Sequence, residues 1–112
     1  MEKCVADADI STVCGEVEAF IEAELQKVFS NKKSKKLERG IAFPVCISVN
    51  EICGHYSPCP DESTKLAAED LVKIELGAHI DGYTANVAQT VIIGGKAKDK
   101  KAAVTLAAYD AF

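Results

Sequence analysis

The stretch "KIELGAHIDGYTANVAQT", Lys73 to Thr90, decides how the chain is read. Two runs of alternating apolar and polar residues flank Asp81-Gly82, a strong short signal for a two-residue type I′ hairpin turn. With that turn Ile80 faces Tyr83, Gly77 faces Asn86 and Glu75 faces Ala88. Ile74, Leu76, Ala78, Ile80, Tyr83, Ala85 and Val87 then share the face expected to be the core side. Glu75, Gly77, His79, Thr84, Asn86, Ala88 and Thr90 share the other, which is small and polar like the floor of a cleft. On it Glu75 and Asn86 become diagonal neighbours, about 7–8 Å apart at the backbone. Two aspartates so placed could converge on a divalent cation, because hard and borderline cations take anionic oxygen donors. Here one donor is a neutral amide and the other carboxylate is a methylene longer, so charge and geometry change together. The reading depends on the turn, since a one-residue bulge would put the two side chains on opposite faces.

The rest of the composition bounds the setting of this hairpin. The chain has 112 residues, 48% of them hydrophobic and 27% charged, enough for one small packed unit or a piece of a larger one. A formal net charge of -4 excludes a uniformly basic nucleic-acid binder but leaves room for a local basic patch. No apolar run approaches the roughly 20 residues of a membrane span, and "MEKCVADADI" has no signal-peptide core. The expectation is a soluble, intracellular chain. Cys4, Cys14, Cys46, Cys53 and Cys59 are odd in number and irregular in spacing, which points to free thiols in a reducing compartment. Cys53, His55 and Cys59 in "CGHYSPC" could offer three metal ligands. No fourth ligand stands at a recognisable spacing, and buried thiols in a loop explain the pattern as well.

Outward from the hairpin, the elements follow from periodicity and breakers. Ser11 is a fitting N-cap for a helix to about Ser30. Val13, Val17, Ile21 and Val28, with Phe20, Leu25 and Phe29, form its apolar stripe. "NKKSKKLERG", residues 31–40, is the strongly basic stretch. It reads either as a solvated linker or as a phosphate-contacting loop through Lys32, Lys33, Lys35, Lys36 and Arg39. No aromatic residue is interleaved with the lysines, so base stacking is not indicated. An alternating strand is expected around Ile47 to Val49, and Pro58 and Pro60 end regular structure beyond it. Gly94-Gly95 breaks the chain after the hairpin, and "AAVTLAAYDAF" opens a second helix. His55 and His79 read by themselves as loop and hairpin-tip residues, since an isolated histidine without a metal has little to work on.

"GIAFPVCISVNEICGHYSPCP" followed by "DLVKIELGAHIDGYTANVAQT" resembles the methionine aminopeptidase-like, pita-bread superfamily in its type-two, proliferation-associated branch. The likeness runs from about Ser11 to the C-terminus. It implies an α/β pita-bread fold with a curved antiparallel sheet and flanking helices. Residues 1–112 would be the N-terminal half of a partial aminopeptidase-like domain, without the first helix and the second half. In active members two hairpin aspartates bind a divalent metal pair, and their places correspond to Glu75 and Asn86. The histidine of the "HY" loop, which assists substrate binding and the transition state there, falls on His55. The resemblance therefore implies vestigial ligand positions at Glu75 and Asn86, a vestigial catalytic position at His55, and neither bound metal nor other cofactor. Glu75 departs from the branch, which usually keeps aspartate.

The implied function is a non-catalytic protein that binds RNA, ribosomes and regulatory proteins in ribosome biogenesis, translation and growth control. Its implied setting is the cytoplasm and the nucleus or nucleolus, with no membrane partner. Lys32, Lys33, Lys35, Lys36 and Arg39 are the local candidates for RNA contact. The alternative is a metal-dependent methionine aminopeptidase with an altered ligand set, using Glu75, the amide oxygen of Asn86 and His55. A bare scaffold for a protein partner is a third reading. An open sheet edge and helices without partners make self-association the expectation for this chain.

Overall fold

A computed structural model describes residues 2–30, 37–62, 64–95 and 99–111. Its elements are helix α1 (Ile10–Leu25), strands β1 (Arg39–Val49), β2 (Leu71–Ile80) and β3 (Tyr83–Ile92), and helix α2 (Asp99–Asp110). The three strands form one antiparallel sheet in the order β1-β2-β3, so β2 is central.

The hairpin has the expected register throughout. Pairing runs without interruption from Leu71↔Ile92 to Ile80↔Tyr83, with Gly77 opposite Asn86 and Glu75 opposite Ala88. Asp81 at φ 54° and Gly82 at φ 81° both occupy the left-handed region that a type I′ turn demands. β1 is longer than the sequence suggests. Arg39 and Gly40, read as the end of a basic linker, pair with Ile80 and His79. The β1–β2 register shifts between Ile41 and Phe43 and again between Phe43 and Cys46. Pro44 sits in that irregularity, where its missing N–H costs no ladder bond.

The helix differs from expectation at both ends. Its N-cap is Asp9, not Ser11: the Asp9 carboxylate accepts from the Thr12 amide at 3.0 Å and from the Ser11 and Thr12 hydroxyls at 2.9 Å each. Asp9 is also placed by an isolated bridge to Lys65, and the Ile10 amide donates to the Thr64 carbonyl at 2.9 Å. The segment before the hairpin thus chooses the cap, a contact that local sequence cannot reveal. At the other end the helix stops at Leu25, with Gln26 as C-cap, well short of Ser30. Phe29 has φ 48° and is exposed, as are Phe20 and Val28, so only part of the predicted stripe is core.

Ile10, Val13, Cys14, Val45, Ile47, Leu66, Val72 and Ile93 form the buried cluster, with Val17, Ile21, Ile74 and Leu76 packed against it. It lies between α1 and the end of the sheet away from the hairpin turn. β1 is buried on both faces over Val45–Ser48. There Val45 and Ile47 belong to the cluster, while the Ser48 hydroxyl accepts from the Tyr56 amide in the following loop. Glu18 ties α1 to the irregular part of β1, accepting from the Val45 amide at 2.9 Å.

The expected core face of the hairpin holds only on β2. Ile74 and Leu76 are partly buried, but Tyr83 is 84% and Val87 56% exposed, and Ala85 is exposed too. α1 packs mainly on β1, and β3 remains an edge strand with both faces open over Tyr83–Gln89. The radius of gyration is 16.0 Å, whereas a compact chain of this length would measure about 13 Å.

Candidate functional site

Glu75 and Asn86 lie on one face of the hairpin, as the register requires, with Ala88 opposite Glu75 and Gly77 opposite Asn86. This face floors a cleft of about 500 Å³. Cys53, Glu75, Gln89 and Thr90 line it from one side, and Thr105 and Tyr109 of α2 from the other. A Lys101 ammonium–Glu69 carbonyl bond of 2.6 Å ties α2 to the start of β2. α1 meets the opposite face, where Ile74 and Leu76 line a separate apolar groove with Val17 and Ile21.

The Glu75 carboxylate is engaged. Its Oε2 accepts from the His55 backbone N–H at 2.8 Å and lies 3.4 Å from His55 Nδ1. His55 has φ 60°, a left-handed backbone that a non-glycine residue adopts at some cost and that this bond helps to hold. Two further contacts fix the loop. The Ile47 amide donates to the Tyr56 carbonyl at 2.8 Å, and Asn50 (φ 50°) brackets the strand ends through Leu71 and the Asp70 carboxylate. The His55 side chain is 88% exposed and that of Glu75 25%, so the pair sits at the mouth of the site.

Asn86 is turned to a different neighbour. A Cβ built on Gly77 would lie 2.4 Å from Asn86 Oδ1, 2.8 Å from Phe43 Cε1 and 3.1 Å from Ala42 Cβ. The amide oxygen therefore rests against the bare backbone of Gly77, and a side chain there would have to displace Asn86 and the Phe43 ring.

The structure brings His55 and Glu75 together, and adds a residue that sequence reading passed over. Cys46 stands opposite Glu75 in the β1–β2 register. One donor atom each from Cys46, His55 and Glu75 fall within 4.8 Å of one another. Among the described residues this is the one group of three or more such donors, and the Cys53–His55–Cys59 trio is not formed. Cys53 and Cys59 are exposed. Cys46 is buried, and burial, with Glu75 and Glu18 nearby, pushes its thiol pKa up. Cys14 goes further, from 9.0 to about 12, first through burial and then through Glu18, Cys46 and Cys4. The sequence signal for Cys46 was weak, because its partner is set by the irregularity at Phe43–Pro44.

His79 has a local role at the hairpin tip. Its Nδ1 accepts from the Gly82 amide at 3.4 Å, and its ring packs on Gly40. Arg39 donates to the carbonyls of Leu37 and Phe29 at 3.1 and 2.9 Å, closing the ends of the basic segment on each other. Lys32, Lys33, Lys35 and Lys36 lie outside the described residues.

Comparison with known proteins places these features. The family model described as metallopeptidase family M24 matches residues 4–112. "Proliferation-associated protein A" of Dictyostelium discoideum is 50% identical over 94 residues, which are 84% of this chain and 24% of that protein. "ERBB-3 BINDING PROTEIN 1" of Arabidopsis thaliana is 41% identical over 112 residues, 99% of this chain and 28% of that protein. Among solved structures, that titled "Structure of a thermophilic Arx1" superposes with a TM-score of 0.76 at 28% identity, covering 96% of this chain and 30% of that one. The chain thus spans less than a third of the length of these relatives.

The close approach at Gly77 yields a mutational expectation. Gly77→Ala should lower stability by about 1–3 kcal/mol through overpacking, read as a fall in melting temperature. Combining it with Asn86→Ala removes the nearest obstructing atom, and the two changes should cost less together than separately. Additive losses would show that the Asn86 contact is not what excludes a side chain there.

Proposed function

This chain belongs to metallopeptidase family M24 and has its pita-bread fold, and from that premise we propose that it is a non-catalytic member acting by binding. The observation that carries the reading is the hairpin donor set. Divalent hard cations held as a pair need several anionic oxygens. This hairpin offers only one carboxylate, Glu75, and one neutral amide oxygen, that of Asn86, which rests on Gly77. That set does not fit the metal pair of the active relatives. Glu75 and Asn86 are then vestigial ligand positions, and His55 a vestigial catalytic position whose loop Glu75 now holds.

The work of such a protein is recognition. Its relatives' names speak of proliferation and, in one case, of binding ERBB-3. The family resemblance supplies RNA and ribosomes as partners, in cytoplasm and nucleolus, in ribosome biogenesis and translation. Lys32, Lys33, Lys35 and Lys36 are the cations suited to phosphate contact. Arg39 anchors the ends of their segment by bonding two backbone carbonyls. β3 adds a second binding element, because an edge strand with free backbone groups can pair with another copy of the chain.

Three measurements test this. The full-length protein incubated with cobalt or manganese should neither take up a metal pair nor cleave Met-peptides, whereas its Glu75→Asp/Asn86→Asp variant should gain a metal pair. Cleavage by the unaltered protein would make it an enzyme with an altered ligand set. Replacing the four lysines by alanine should weaken RNA binding uniformly across sequences and reduce the salt slope by up to about 0.7–0.9 per lost phosphate contact. Unchanged affinity would remove the basic segment from the interface. Sedimentation should show concentration-dependent self-association, and a monodisperse monomer would rule out pairing through β3.

A further inference from the structure

We propose that Cys46, His55 and Glu75 form a site for one thiophilic divalent cation, zinc above all, which clips the loop of residues 50–57 onto β1 and β2. The site is separate in chemistry from a hairpin metal pair: it uses one sulfur, one imidazole nitrogen and one carboxylate oxygen, and it does not use Asn86.

Three observations converge on it. The donor atoms already lie within 4.8 Å of one another, although they come from β1, the loop and β2. His55 Nδ1 and Glu75 Oε2 are 3.4 Å apart. Two ligands about 2.0–2.1 Å from one tetrahedral zinc are separated by about 3.4 Å, so this edge of the polyhedron is already set. The donor classes are those zinc selects, since borderline cations accept thiolate, imidazole and carboxylate in one shell, while calcium and magnesium avoid sulfur.

The scaffold around the donors is built rather than incidental. Cys46 is buried in the irregular part of β1, and its position across from Glu75 is fixed by backbone pairing. The His55 amide bond to Glu75 holds the imidazole beside the carboxylate, and that hydrogen bond uses one of about four lone-pair positions on the group. Two anionic donors, thiolate and carboxylate, match the charge of a dication. On binding, the Cys46 proton passes to solvent and a sulfur–metal bond replaces it. The exposed His55 ring gives the ion its way in, and three protein ligands leave one tetrahedral position for water or an added ligand. Cys53 lines the neighbouring cleft but is not one of the clustered donors.

The test uses the full chain carrying Cys53→Ser and Cys59→Ser, which removes the two exposed thiols. Titration with cobalt(II) should give one ion per chain, with tetrahedral d–d absorption and a thiolate-to-cobalt charge-transfer band, both displaced by zinc. Cys46→Ser should abolish the charge-transfer band. His55→Asn keeps a residue tolerant of left-handed backbone and should weaken binding at least about tenfold, the scale on which even outer-shell changes act. Asn86→Ala should leave the spectrum and stoichiometry unchanged, and zinc should raise the melting temperature of the parent but not of Cys46→Ser. Absence of uptake, uptake without the thiolate band, or a band that survives Cys46→Ser would overturn the proposal. Should Cys46→Ser fail to fold, the exposed His55 variant still decides: unchanged affinity there also overturns it. Loss of binding with Asn86→Ala would point instead to a hairpin metal pair and would count against the non-catalytic reading as well.

Discussion

The two left-handed residues at the tip of the hairpin, Asp81 and Gly82, constrain everything downstream of them. Side chains alternate along a strand, so a slip of one residue in the β2–β3 pairing would turn every side chain of one strand to the other face. Ile74 and Leu76 would then be opposed by the wrong partners, and Asn86 would leave the face of Glu75. The type I′ geometry removes that freedom by matching the twist of both strands with no inserted residue. β2 is central and pairs with β1 along its other edge, where the two register shifts in β1 decide that Cys46 is the residue that meets Glu75.

That meeting gives one carboxylate several duties. Glu75 lies between β1 and β3, accepts the backbone of the loop, and faces both an imidazole and a thiol. A shorter aspartate on the same backbone would reach less far towards the His55 amide. The length of the Glu75 side chain is what carries its carboxylate to the loop.

The surfaces left open follow from the reach of α1. A 16-residue helix lying on β1 buries Val45 and Ile47 and part of Ile74 and Leu76. Beyond it the apolar side chains of Tyr83, Val87, Val104, Leu106 and Tyr109 are more than half exposed. Singly, such residues are unremarkable on a protein surface. Spread over an edge strand and a second helix, they leave the sheet only partly covered, in keeping with a chain that spans under a third of its relatives' lengths.

What the sequence by itself determined is what local chemistry can dictate. The Asp81-Gly82 turn, the strand pairing it sets, the Gly94-Gly95 break and the common face of Glu75 and Asn86 all depend on backbone preference and a period of two. Motifs at a fixed spacing carried the family and its fold. The tertiary structure alone decided the rest, because each case involves a partner distant in the chain. Asp9 caps α1 in place of Ser11 because Thr64 and Lys65 hold it there. Val87 and Tyr83 stay exposed because α1 covers β1 and only part of β2, although their alternation marks them as core. Cys46 joins His55 and Glu75 because the irregularity at Phe43–Pro44 shifts β1 against β2. Periodicity tells which face a residue is on, but only packing tells what, if anything, covers that face.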